Sequence, residues 1–112
     1  MQRDDLVLCR HIIDAAREAV ALTAGTTVEG FAADRKLDLA VVRLLEIIGE
    51  ASRSVSRAFR ETHSDIPWTR MIGMRDRLIH AYWDINREVV WKTVSEDLPP
   101  LIAKVESLLP SS

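Results

Sequence analysis

Arg75, Asp76, His80 and Tyr82 fall within one stretch, Arg75-Asp76-Arg77-Leu78-Ile79-His80-Ala81-Tyr82, and Tyr82 is the only tyrosine of the chain. Nowhere else do a guanidinium, an imidazole and a phenol stand at close, helix-compatible spacing. Asp76 and His80 are four apart, so on a helix they share a stripe and can hydrogen-bond. Arg75 and Tyr82 are seven apart and turned only about 20° from each other. Arg75 and His80, five apart, are roughly 140° apart around a helix. One straight helix therefore does not aim both at a single point. Either the helix ends near His80 or a second copy of the chain completes the site.

These groups suit chemistry on a phosphodiester. Cutting RNA with side chains alone needs a base for the 2′-hydroxyl proton, an acid for the leaving 5′-oxygen, and a cation facing the phosphorane-like transition state. Histidine titrates near about 6.5 and serves in either proton role. The fork of arginine matches phosphate oxygens. Asp76 is placed to hold the imidazole in one tautomer, and Tyr82 to contact a phosphate or stack on a base. A single His80 does not readily act as acid and base in one step, whereas a two-fold dimer supplies two imidazoles and two copies of Arg75. Taken alone, the stretch equally describes an ordinary helix end. Arginines there complement the dipole, His80 caps a carbonyl, and Tyr82 packs as a rim aromatic.

The composition narrows the setting. A chain of 112 residues with 47% apolar and 29% charged residues reads as one soluble domain, residues 1–112, with one modest core. A net charge of −2 argues against a general nucleic-acid coat but not against a local basic groove. The single cysteine, Cys9, excludes an internal disulfide and a thiolate cluster and suits a reducing cytoplasm. His11, His63 and His80 lack ligand spacing, so no metal site is expected. No glycine-rich phosphate loop is present, and no cofactor is expected. The opening Met-Gln-Arg-Asp-Asp is not the apolar run of a signal peptide, and Arg43 and Glu46 break the longest apolar stretch, so no membrane span is expected.

The elements that must position the motif are helical. Leu6, Cys9, Ile13, Ala16 and Val20 mark one face of a helix over about Asp4 to Ala24, stopped at Gly25. Thr26 to Gly30 reads as a turn, with a short helical piece through Phe31. Leu37, Val41, Leu44, Leu45, Ile48, Ala51, Val55 and Phe59 predict one long helix from about Asp34 to Arg60. Gly49 within it calls for the close approach of a neighbour, and the same is expected of Gly73. Arg53, Arg57 and Arg60 form a short basic ridge, either a solvated face or a contact for RNA or a partner protein, to which Arg77 adds. Pro67 opens a helix to about Ala81. Asp84 or Asn86 caps the last helix, which Pro99-Pro100 must kink or interrupt. The expected fold is all-α, a small antiparallel bundle of four main helices plus a short one.

The segment Ile66-Pro-Trp…Ile72-Gly-Met-Arg-Asp-Arg-Leu-Ile-His-Ala-Tyr82 resembles the HepT-like branch of the HEPN superfamily, whose signature is Arg-x-x-x-x-His-x-Tyr. Arg43-Leu-Leu-Glu-Ile-Ile-Gly-Glu-Ala looks like the family's second hallmark, and Val90-Trp-Lys-Thr-Val…Asp97-Leu-Pro is similar too. The resemblance implies an all-α, dimeric, metal-independent endoribonuclease, the toxin of a type II toxin–antitoxin pair. It puts the catalytic pair on Arg75 and His80 and the adjoining polar position on Asp76, where many members carry asparagine. It also implies that Tyr82 can receive AMP from ATP through a minimal nucleotidyltransferase antitoxin. The alternative is a non-catalytic helical partner that holds substrate or nucleotide for a separate nucleotidyltransferase.

Overall fold

A computed structural model describes residues 3–80 and 82–110, with the side chains of Arg3 and Tyr82 outside that description. Seven α-helices follow in order: α1 (Arg3–Thr23), α2 (Val28–Ala33), α3 (Arg35–Ser54), α4 (Arg57–Thr62), α5 (Trp68–His80), α6 (Arg87–Lys92) and α7 (Leu98–Glu106). No strand occurs among the described residues. The fold is the expected all-α bundle, with short helices added at the corners. The helix over the first residues ends as expected at Gly25, which takes φ +78°.

α3 is the central helix, with α1 on one side and α5 on the other, while α7 closes on α1. The Asp5 carboxylate near the start of α1 meets Ser56 just past the end of α3, so these two helices run antiparallel. Ser52 meets Met71, and Gly49 lies against Arg75, so α5 is antiparallel to α3 as well. Ile12, Ala16, Val41, Leu45, Ile48, Leu98 and Val105 are buried between these layers. An open groove of about 800 Å³ separates α5 from α6 and α7, floored by Gly73 and Met74 and bridged at its rim by an Arg70–Asp97 ion pair.

Two boundaries differ from the sequence expectation. The long helix from Asp34 to Arg60 is broken at Val55–Ser56. Ser56 adopts extended backbone, caps α4 by accepting from the Phe59 N–H, and gives its own N–H and hydroxyl to Asp5. A serine with a local helix start and a buried carboxylate competing for its N–H ends the run despite unbroken apolar periodicity. Val55 and Phe59 stay buried because the break only turns the chain. The turn placed at Thr26 to Gly30 is already helical from Val28, capped by Thr27. The interruption expected at Pro99-Pro100 is present: the α pattern stops at Lys92 and resumes at Leu98. The backbone remains helical from Arg87 to Glu106 through a π turn at Thr93–Asp97. That wider turn leaves room where the proline rings would meet the carbonyls one turn back.

Asn86 caps α6, as anticipated, accepting from the Glu88 and Val89 N–H groups. Arg87 then sends Nε and Nη2 to Asp38 Oδ2 at 3.1 and 2.8 Å and Nη1 to the Ile85 carbonyl at 3.0 Å. Asp38 is buried, so this ion pair ties the turn after His80 to the start of α3.

Candidate active site

The site begins with a glycine. A Cβ built on Gly49 would lie 2.1 Å from Arg75 Cβ and 2.7 Å from the Met71 carbonyl oxygen. Only hydrogen fits there, and α5 rests on α3 at Arg75 itself. The buried Ser52 hydroxyl, one turn on, donates to the Ile48 carbonyl at 2.7 Å and so spends its polarity within its own helix. The close approach expected at Gly49 is therefore present. The one expected at Gly73 is not: nothing lies within 4 Å of a Cβ there, because Gly73 faces the groove and not a helix.

Arg75 rises from this crossing with only 21% of its side chain exposed. Its Nη2 donates to Glu50 Oε2 at 2.8 Å and its Nη1 to Asp76 Oδ1 at 3.2 Å. Its Nε is buried and meets no acceptor among the described residues. Both oxygens of Asp76 also accept from Arg53 Nη2, at 2.8 and 2.7 Å. The result is an alternating chain of charges, Glu50–Arg75–Asp76–Arg53, that sums to zero. A carboxylate at Asp76 by itself repels phosphate; beside two guanidiniums it does not carry that penalty alone.

His80 ends α5 and is exposed. Its Nδ1 lies 2.7 Å from the backbone oxygen of Asp76, not from the carboxylate. The expected carboxylate–imidazole pairing is thus replaced by a contact with the same residue's carbonyl, because Arg53 and Arg75 have already claimed the side chain. A carbonyl can only accept, so Nδ1 carries the hydrogen and Nε2 of the neutral ring keeps its lone pair. No hydrogen bond joins His80 to Arg75 among the described residues, as their angular separation on the helix requires. Tyr82 opens a 3-10 turn, Tyr82–Asp84, two positions on from the last residue of α5, His80; the role expected of its side chain lies outside the described residues.

The remaining arginines divide. Arg53 joins the charge chain. Arg57 pairs with Glu61 at 3.0 Å on its own helix and is 87% exposed. Arg60 is half-buried, and its Nε meets no acceptor among the described residues. The break at Val55–Ser56 puts Arg53 on α3 and the other two on α4, so they do not form one continuous ridge. Arg77 is exposed and lines the groove beside Lys92. Sequence reasoning singled out no role for Glu50. Its signal was adjacency to Gly49, since a helical residue next to a forced glycine contact stands beside whatever makes that contact. Among the described residues no group of three potential ligands could hold a metal ion, and no helix is long and apolar enough to cross a membrane.

An all-α bundle that sets an arginine and a histidine five apart on one helix, with the arginine tethered across a glycine crossing, defines a class. The chain matches the family described as Ribonuclease HepT-like over residues 12–108. It is 43% identical over 108 residues to a Thermococcus cleftensis protein named "Probable ribonuclease HepT", covering 96% of this chain and 98% of that one. A protein of Caldanaerobacter subterraneus subsp. tengcongensis, provisionally named an RNase, is 39% identical over 88% of each chain. One of Methanocaldococcus jannaschii, also provisionally named an RNase, is 37% identical over 94% of this chain and 96% of its own. No solved structure matches the chain. The protein belongs to the HepT-like family of the HEPN superfamily.

Proposed function

We propose that the protein is an endoribonuclease whose cleavage chemistry is supplied by side chains. The observation that carries this is His80, held through Nδ1 by the Asp76 carbonyl so that Nε2 keeps a lone pair, on the helix that also presents Arg75. One imidazole takes the proton of a 2′-hydroxyl, and O2′ attacks phosphorus. The bond from phosphorus to O5′ breaks, and O5′ takes a proton from the second imidazole. A 2′,3′-cyclic phosphate and a 5′-hydroxyl remain. Arg75 faces the non-bridging oxygens as negative charge gathers on them. Two imidazoles require two chains, so the working form in this reading is a homodimer with the motif at its interface.

In the same reading the protein acts in the cytoplasm as the toxin of a type II toxin–antitoxin pair. A minimal nucleotidyltransferase antitoxin moves AMP from ATP to the Tyr82 hydroxyl, with pyrophosphate leaving. Bulk and negative charge at Tyr82, two residues past His80, then keep an RNA phosphate out. The family membership and the RNase names of the relatives support the nuclease part. Expression without the partner should arrest growth, and His80→Ala should abolish the arrest. Purified antitoxin-free protein that leaves RNA intact, with His80→Ala equally toxic, would refute the proposal. Intact mass of the co-expressed protein should show added AMP, on a peptide containing Tyr82.

A further inference from the structure

The charge chain across α3 and α5 is unequal at its two ends. Asp76 is gripped by both Arg53 and Arg75. Glu50, by contrast, makes one side-chain hydrogen bond among the described residues, a single oxygen on Arg75 Nη2 at 2.8 Å, and 65% of its side chain is in solvent. It stands on the guanidinium where an oxyanion would bind and holds it through that single Nη2 contact. A phosphate or phosphorane oxygen carries the same kind of charge as the carboxylate and can take Nη2 in place of Glu50, the exposed partner on that side of the fork.

We infer that Glu50 is an internal stand-in for the substrate phosphate, a carboxylate that holds Arg75 in its working position while the site is empty and is displaced from Nη2 when RNA enters. Asp76 keeps Nη1 throughout, so the fork does not swing free during the exchange. Because Glu50 is exposed and singly bonded, its removal costs little, as for other solvent-facing ion pairs. Its negative charge nevertheless competes with every incoming phosphate. Glu50 is therefore a specificity and positioning residue acting through Arg75, and it sets the threshold an anion must pass to engage the site. The inference rests on the ribonuclease reading for its biological meaning, but its physical content is an affinity.

The test is RNA binding by the full chain, measured with a single-stranded oligonucleotide carrying 2′-O-methyl sugars, which can bind but not be cut. Glu50→Gln should tighten binding about two- to fivefold, the range of an exposed ion pair, and raise kcat/KM on unmodified RNA in the same direction. In an Arg75→Ala background the same substitution should have little effect, since a coupled pair is non-additive. Equal tightening with and without Arg75 would reduce Glu50 to a general surface charge and overturn the inference. Weaker binding, or a fall in kcat/KM, would make Glu50 an ordinary support for Arg75 and overturn it as well. If no chain cuts unmodified RNA, the nuclease reading fails, while the binding cycle still decides the role of Glu50.

Discussion

His80 and Asp76 meet through the backbone, so the carboxylate and the imidazole are free to do different work. The carbonyl of Asp76 selects the tautomer, and its carboxylate anchors two arginines. His80→Ala should lower RNA cleavage by about 10²–10⁴-fold, the usual worth of a general acid–base group. Binding of uncleavable RNA should change little, because Arg75 remains; loss of binding in parallel with cleavage would place His80 in substrate capture instead. Cys9 shows the opposite design, a reactive group made inert. Burial, aided by the Asp5 carboxylate, pushes its thiol up from 9.0 to about 11. The protonated thiol is not the nucleophile, so iodoacetamide at pH 8 should leave the folded protein unmodified and label Cys9 only after denaturant is added. The sign for stability follows. The folded state favours the thiol, so its contribution is complete below about 9 and declines as pH rises from about 9 to 11.

Helix α5 is placed by a single small residue on its neighbour. Gly49→Ala improves helix propensity by about 1 kcal/mol, but the new Cβ would sit 2.1 Å from Arg75 Cβ and 2.7 Å from the Met71 carbonyl oxygen. Neither obstacle is the flexible end of a side chain, so the two helices must separate. Overpacking of this kind costs about 1–3 kcal/mol, and the net should be destabilising in urea denaturation, with cleavage reduced because Arg75 is carried away. Gly73→Ala is the control. Its Cβ would meet nothing, so it should gain about 0.5–1 kcal/mol from propensity alone. If both substitutions move stability in the same direction, the α3–α5 crossing is not what holds α5 in place.

At the scale of the whole molecule, one chain presents one His80 and one Arg75, separated around the helix and joined by no hydrogen bond among the described residues. The homodimer proposed above, with one cleft shared by both chains, has a direct consequence. Chains carrying His80→Ala, mixed in excess with wild-type chains and allowed to exchange subunits, should suppress cleavage more than their dilution of the wild-type chains accounts for. The mixed dimer keeps only one of the two imidazoles. Cleavage that falls only in proportion to the fraction of wild-type chains, at concentrations where sedimentation shows dimers, would mean that the cleft is not shared.

The sequence by itself determined the class of fold and the helix that carries the motif. Apolar spacing of threes and fours is a local property, and it located α1, α5, the α6–α7 run and the start of α3 within a few residues, while overrunning the end of α3. It also foretold the tight contact at Gly49, because an interior glycine lowers helix stability unless a neighbour requires it. What periodicity could not register was competition from afar. Asp5, fifty-one residues from Ser56, ends α3 where the apolar pattern continues. Glu50 and Arg53 reach Arg75 and Asp76 across a helix crossing and leave His80 only a carbonyl. Gly73 faces a groove instead of a helix. Those outcomes belong to tertiary structure alone, because a hydrogen bond or ion pair goes to the partner that the packed helices bring near, and sequence distance is silent about which one that is.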